Sequence, residues 1–529
     1  MSAESDRRAA EFLAIADQFK LGSLVTESSH PVTANLSDVA RRSVEDALDL
    51  LFQVDEDVIE RDRQWTADGM TGAIADAVLS ALRSGKRVFF TGCGSTGRLS
   101  ILLDSIWRGF WNEHAARGVV GNPSPADLAD RTRSAMAGGD FALIKAVEGF
   151  EDFTQFGRRQ IADMGFAEGD VLFAITEGGE TSWVIGTAWE ALDRGGRVFF
   201  VYNNPDAVLC EHVTRSREVI EEPRITKLNL TTGPMAISGS TRMQATTIEL
   251  CVMLTVLETT ARTLMREFCP PQTPVGDPAS VPQEFLEALE TMLATLRSSE
   301  CRAALADLVR MEEQVYRSGH RNTYFADGLG VDMLTDTTER SPTFCTPPFR
   351  RFDDTEAAES WAFLCVPQET TADAWPALLK RAPRCVEWTE DVVRALTPPE
   401  KADRTVEIVS RIGLPDLMRF RIGQDGLPYR VLGDGDCAVG LAGPDEPYLL
   451  EPSGFVRQQL DRVRAAGAKT GIIRLTRHAG QDRTCRDDVC VTVTVPDTGM
   501  LLDGVTRAGV KMLLNAVSTC TMVRLGRVM

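Results

Sequence analysis

The chain has 529 residues, 43% hydrophobic and 25% charged, enough for two to four domains with sizeable cores. A formal net charge of −19 argues against nucleic acid and anionic membrane surfaces as partners, so an anionic ligand has to be held by local loops and not by the overall field. No apolar run approaches the ~20 residues of a membrane helix, and the opening M-S-A-E-S-D-R-R lacks a signal-peptide core. Twelve cysteines without a C-x-x-C pair, among only five histidines, read as reduced thiols in a cytoplasmic protein. Cys485 and Cys490 are close in sequence, but without a histidine cluster beside them no structural metal is expected.

In chain order, residues 38–62 predict a helix, with apolar Ala47, Leu48, Leu50, Leu51 and Val54, and residues 68–83 a second. A strand, Val88–Thr91, runs into a glycine turn and a helix containing Leu99, Ile101 and Leu102. Gly118–Gly121 reads as a short strand. Asp170–Thr176 is a near-continuous apolar run, as in a strand buried on both faces, and ends in a second glycine loop, E-G-G-E-T-S. A helix with Val184, Ile185, Ala188 and Leu192 follows, then the strand R-V-F-F-V-Y. Strands alternating with helices imply a parallel sheet covered by helices, whose ligands sit beyond the C-terminal strand ends, where both glycine loops lie.

The proline-rich stretch 269–278 reads as a linker. Beyond it, Asn322–Phe325, Trp361–Pro367, Thr405–Ser410 and Gly471–Leu475 are strand candidates, with a turn at Ala326–Gly330. Val489–Val495 alternates like an edge strand, and Lys511–Leu525 is an apolar helix. The second half thus repeats the pattern of the first with eroded loops. The expected fold is α/β: two doubly wound parallel-sheet domains, with residues 1–45 a helical N-terminal segment, 46–266 the first domain and 280–529 the second.

Gly92, Gly94 and Gly97 form G-x-G-x-x-G between a strand and a helix, where bare backbone amides and the helix dipole favour a phosphate. The spacing also fits a dinucleotide fingerprint, or a turn with no ligand. The next strand candidate lacks the acidic residue that would hold a ribose, while Ser95 and Thr96 suit a compact phosphate monoester, so a sugar phosphate is favoured. No P-loop motif is present.

G-C-G-S-T-G-R-L-S (92–100) resembles the phosphosugar loop of sugar isomerase (SIS) domains, in particular those of N-acetylmuramic acid 6-phosphate etherases and glucokinase regulatory protein. The likeness extends to L-V-T-E-S-S-H-P-V-T-A-N-L-S-D (24–38), A-V-E-G-F-E-D (146–152), E-G-G-E-T-S-W-V-I-G (177–186) and S-G-S-T-R-M-Q-A (238–245). In the second half, D-T-T-E-R-S-P-T-F (336–344) resembles the etherase D-A-S-E segment, and 513–528 the helix that closes each SIS domain.

The resemblance implies a fused pseudo-dimer with one working site. The first half keeps its phosphate loop but carries Ile106 at the D-A-S-E glutamate position. The second half keeps that glutamate as Glu339, but its loop, A-D-G-L-G-V-D, lacks Ser and Thr and carries Asp327 and Asp332. The composite site would join Gly92, Gly94, Ser95, Thr96 and Gly97 to Glu148 as base and Glu339 as acid, with Glu151 on sugar hydroxyls. Thr176, Gly179, Thr181, Ser182, Ser240 and Arg242 complete the implied binding set.

Some positions depart from the family. Gly178 stands for a serine, Glu180 for an arginine and Gln244 for a lysine, and Glu177 adds a carboxylate. The family also continues beyond the closing helix to a ligand-reaching lysine, which is not expected within a sequence ending at Met529. The function implied first is an etherase-like lyase acting on a sugar 6-phosphate. A non-catalytic phosphosugar sensor comes second and an aldose–ketose isomerase third. No cofactor or metal is implied. The expected partner is a small phosphosugar, with a protein partner or a homodimer left open.

Overall fold

The computed structural model describes residues 20–268, 275–478 and 485–528, together with positions 5–7, 9, 10 and 13. The first half forms strands β1 (Val88–Gly92), β2 (Thr132–Met136), β3 (Val171–Ile175), β4 (Arg197–Tyr202) and β5 (Ile225–Asn229). The second forms β6 (Asn322–Phe325), β7 (Ala362–Cys365), β8 (Cys437–Ala442), β9 (Lys469–Thr476) and β10 (Val489–Thr494). The sheets run β2-β1-β3-β4-β5 and β10-β9-β8-β6-β7, with every pair parallel. Counted from its own first strand, each half therefore has the same order, 2-1-3-4-5. That order reverses between the first and third strands, where open α/β sheets place their ligands. The repeated architecture read from the sequence is present in the topology.

Burial explains the apolar runs. β1 and β3 are covered along their whole length. Phe90, Phe173 and Phe199 are in register on neighbouring strands and stack with centroids 5.6 and 4.9 Å apart. The two halves meet through matching elements. The helices after the first strands, Gly94–Ala116 and Gly330–Phe344, touch each other, as do the closing helices Gln244–Phe268 and Gly504–Arg524.

Several expectations need correction. The helix expected at 38–62 is three, Leu36–Arg42, Val44–Val54 and Glu56–Asp68, because Ser43 is extended and caps the second. Gly118–Gly121 is not a strand: Gly118 turns the chain at φ +74°, and the strand is β2, further on. Thr405–Ser410 falls in and just beyond the helix Pro399–Val409, which buries Ala402, Thr405 and Val409 at helical spacing. β5 and β8 lay outside the expected strands. Cys485 and Cys490 are brought together as a pair, and nine other described cysteines are free. The linker expected at 269–278 lies mostly outside the described residues, since 269–274 are not among them. Among the described residues no helix is long and apolar enough to cross a membrane.

Candidate functional site

The first glycine loop joins β1 directly to the Gly94–Ala116 helix. Close approach explains two of its glycines: a Cβ on Gly92 would lie 2.3 Å from the Thr96 carbonyl carbon, and one on Gly97 would lie 2.4 Å from Met136 Cγ. Gly94 makes the turn at φ +55°. The Thr96 hydroxyl closes the loop on itself, donating to the Cys93 carbonyl at 2.9 Å and accepting from the Cys93 amide at 3.1 Å. Thr96 is fully buried, whereas Ser95 lines a cleft between the halves.

The amide of Thr96, one of the donors a phosphate would use, has an occupant. It donates to Glu177 Oε1 at 3.1 Å, and the Thr96 hydroxyl lies 3.4 Å from Glu177 Oε2. Glu177 comes from the loop after β3. Burial, followed by the charge of Glu339, pushes its carboxyl up to about 7 against the opposing pull of backbone hydrogen bonds.

Glu339 reaches the first half's helix. Its Oε1 accepts from Arg98 Nη1 at 2.5 Å, and Arg98 Nε donates to Thr338 Oγ1 at 3.0 Å. Both members of the pair are buried. The cleft beside them is lined from both halves by Ser95, Arg242, Asp336, Glu339, Lys511 and Asn515. Its free volume is about 30 Å³, room for a water molecule. Arg242 is bound to the second half through Asp336 at 3.1 Å, Ser518 at 3.0 Å and Thr519 at 2.8 Å. Lys511 donates to the Arg242 carbonyl at 2.6 Å, and burial lowers its ammonium to about 8.

The other expected residues divide. Glu148 is exposed on a turn. That turn abuts the second loop, because the Glu151 carbonyl accepts from the Trp183 amide at 2.9 Å. Glu151 is half-buried, and burial raises its pKa. Thr176 and Thr181 share a hydrogen bond at 3.2 Å, Gly179 turns the loop at φ +77°, and Ser182 opens the next helix. Glu180 points to Arg215, at 2.6 Å. The Ser240 hydroxyl is buried without a partner. Gln244 ties its own segment together, bonding Ala236 N at 3.1 Å and Pro234 O at 3.2 Å.

The glycine loop of the second half, at 326–332, not only lacks hydroxyls but also carries an acid on its amide. The amides of Gly328 and Gly443 both donate to Glu446, at 2.6 and 2.8 Å. Asp327 accepts from the Tyr448 hydroxyl at 3.1 Å, and Asp332 is paired with Arg507. Sequence reading missed Arg98, Lys511, Glu446 and the fully buried Glu249. Arg98 directly follows the last loop glycine and was the one within reach of a motif.

Residues 72–191 match the N-terminal SIS domain of glucokinase regulatory protein. An N-acetylmuramic acid 6-phosphate etherase of Aliivibrio fischeri is 31% identical over 238 residues, 44% of this chain and 68% of the etherase. One from Synechococcus is 30% identical over 239 residues, covering 45% and 66% of the two chains. Among solved structures, tagatose-6-phosphate ketose/aldose isomerase of Escherichia coli overlaps 88% of this chain and 93% of its own, at 11% identity and a TM-score of 0.41.

Proposed function

Since this chain belongs to the SIS family, in the group of N-acetylmuramic acid 6-phosphate etherases and glucokinase regulatory proteins, we propose that it binds a sugar 6-phosphate at residues 92–97 and cleaves an ether on that sugar. The observation that carries the reading is the Arg98–Glu339 contact, which brings a carboxylate of the second half to the helix of the first half's loop. The opposite pairing lacks both parts: Glu446 fills its loop, and Ile106 stands at the acid position. In the proposed lyase, Glu148 removes the proton at C2, the C3–oxygen bond breaks, and Glu339 gives a proton to the departing oxygen. Such groups typically contribute roughly 10²–10⁴ in rate each. The free volume beside Glu339 is smaller than a sugar, so binding has to widen the cleft.

The test is release of lactate from N-acetylmuramic acid 6-phosphate, with Glu148→Gln and Glu339→Gln each reducing it. No release by the wild type, or release unaffected by either change, overturns the catalytic reading.

The exposure of Glu148 favours a second reading, a phosphosugar sensor without turnover. A sensor would be stabilised by a 6-phosphosugar, about 2.7 kcal/mol at hundredfold excess over Kd, and would release no lactate. Absence of stabilisation by every 6-phosphosugar tried overturns both readings.

A further inference from the structure

We propose that Glu177 is the resident anion of the first glycine loop and sets its ligand affinity, so that a phosphate monoester binds by displacing the Glu177 carboxylate from the Thr96 amide. The inference rests on the phosphosugar reading above and names what the ligand has to compete with.

Two observations carry it. In the first half, a glutamate from the loop after the third strand lies on the Thr96 amide at 3.1 Å. In the second half, a glutamate from the loop after the equivalent strand, β8, lies on the Gly328 amide at 2.6 Å. The same device has arisen on both sheets at the same topological place. Each takes one amide from the glycine loop it faces. Glu446 holds two amides, from Gly328 and Gly443, one on each carboxylate oxygen. Burial raises its pKa against the pull of those two amides, with Asp327 adding to the rise and Arg507 opposing it. Gly443 belongs to Glu446's own loop, so Glu177, on the Thr96 amide, likewise holds one amide of the phosphate loop, and it shares the hydroxyl of Thr96 with the Cys93 carbonyl. Both loops are latched by an acid, and only the first keeps the hydroxyls a phosphate would use.

The surroundings favour release of the latch. From the Gly330–Phe344 helix, Glu339 acts on Glu177, its own charge met by Arg98. Glu249, on the Gln244–Phe268 helix, is fully buried, and its Oε2 has no hydrogen-bond partner. Burial and then the charge of Glu177 raise its pKa, with Lys511 opposing. Glu180, on the same loop as Glu177, adds repulsion but is paired with Arg215. On the glycine loop, the Cys93 thiol feels Glu151 and Glu177 and is raised chiefly by burial. A second anion entering this cluster is strongly disfavoured while Glu177 is charged. Once Glu177 is protonated and turned off the amide while it stays within this buried acidic cluster, the Thr96 amide becomes available to phosphate oxygens beside the Ser95 hydroxyl. Binding near neutral pH therefore takes up a proton at Glu177.

Isothermal titration of the full chain with N-acetylglucosamine 6-phosphate, which keeps the 6-phosphate and has no ether to cleave, at pH 6 and pH 8 and in two buffers of different ionisation heat, tests this. Glu177→Ala is expected to bind at least tenfold tighter than wild type at pH 8, with the gap narrowing at pH 6. Proton uptake should be larger in wild type than in the variant, since the ligand's own titration is common to both. Glu177→Gln, which keeps the side chain's size, should show the same signs and covers the case in which the alanine variant fails to fold. Glu446→Gln should leave the affinity unchanged. Equal affinity and equal proton uptake in wild type and both Glu177 variants overturn the inference while leaving the phosphosugar reading intact. No binding by any of the proteins overturns that reading, and the inference with it.

Discussion

Arg381 and Asp140 meet at 2.6 Å across the two halves of the molecule, both of them buried. The guanidinium also bonds Asp104 at 3.1 Å and Ser134 at 3.0 Å. Asp104 in turn accepts from Arg108, Thr132 and Ser134. Burial alone would raise the Asp104 pKa, but Arg108, Arg381 and Arg384 outweigh it and hold the carboxyl far below its usual range. A single side chain of the second half thus compensates two buried carboxylates of the first. Removing one partner of such a cluster leaves charge buried without its counter-ion, which costs about 3–5 kcal/mol. Arg381→Ala is expected to lower the unfolding free energy by that amount, read as a fall in the urea midpoint at unchanged m, while wild type unfolds in one transition. If wild type instead unfolds in two well-separated steps, with only the second half responding to the substitution, the halves are not coupled through this cluster.

Glu339 has a structural and a proposed chemical role, and the two separate by substitution. Glu339→Ala strands Arg98, which is 1% exposed, and should destabilise the chain by about 3–5 kcal/mol. Glu339→Gln keeps an acceptor for Arg98 and should cost less, yet it cannot supply a proton as a carboxylic acid does. A thermal melt paired with the lactate assay reads both effects. The proposed role predicts a glutamine variant close to wild type in Tm and reduced roughly 10²–10⁴ in rate. Activity that follows Tm across the two variants would leave Glu339 a purely structural residue.

How much of this was legible depends on what buries each segment. β1, β3 and β4 show themselves as V-F-F, V-L-F-A-I and V-F-F-V-Y because both faces meet apolar helices. β2 reads T-R-S-A-M and escaped notice because its polar side chains are covered by ions: Ser134 lies under Asp104 and Arg381. β8, C-A-V-G-L-A, is made of small residues, and a Cβ on Gly440 would meet Val456 Cγ1 at 2.3 Å, so a neighbouring helix explains its composition. At the site, the glycine loop and Glu339 were readable as motifs. The partner of Glu339 lies 241 positions away, and no local pattern announces it. The two capping glutamates were harder still. They engage backbone amides, which carry no side-chain signature, and only an acid where a relative has none hints at Glu177.

The loop glycines differ in what they tolerate. A methyl group at Gly92 would sit 2.3 Å from the backbone of Thr96, which has no room to shift without opening the helix start. A methyl group at Gly94 meets nothing within 4 Å and pays only for the left-handed φ of +55°, about 1–2 kcal/mol. Gly92→Ala is therefore expected to abolish ligand-induced stabilisation, and Gly94→Ala to retain most of it with a modest fall in Tm. Thermal shift with a 6-phosphosugar measures both. Equal loss in the two variants would mean that backbone conformation, and not crowding, governs the loop.

Asp62 predicts a pH dependence of stability that is independent of the site. It sits in the Glu56–Asp68 helix, 1% exposed, with Oδ2 lacking any hydrogen-bond partner. Burial pushes its carboxyl up to about 7, with Arg61 opposing and Glu290 adding to the rise. An unfolded aspartate titrates near 3.9. Between about pH 4 and 7, then, the folded chain binds a proton that the unfolded chain does not, and stability falls as pH rises, by at most about 1.4 kcal/mol per pH unit for this group. Above pH 7 the loss is complete. Asp55 is raised to about 7 in the same way and contributes a slope of the same sign, so the comparison has to be made by difference. Relative to wild type, Asp62→Asn should gain stability steadily from pH 4 to 7 and hold a constant advantage above that, as read from urea unfolding at each pH. A difference that stays flat across this range would show that Asp62 is already ionised in the folded protein, its charge reached by water or by Arg61.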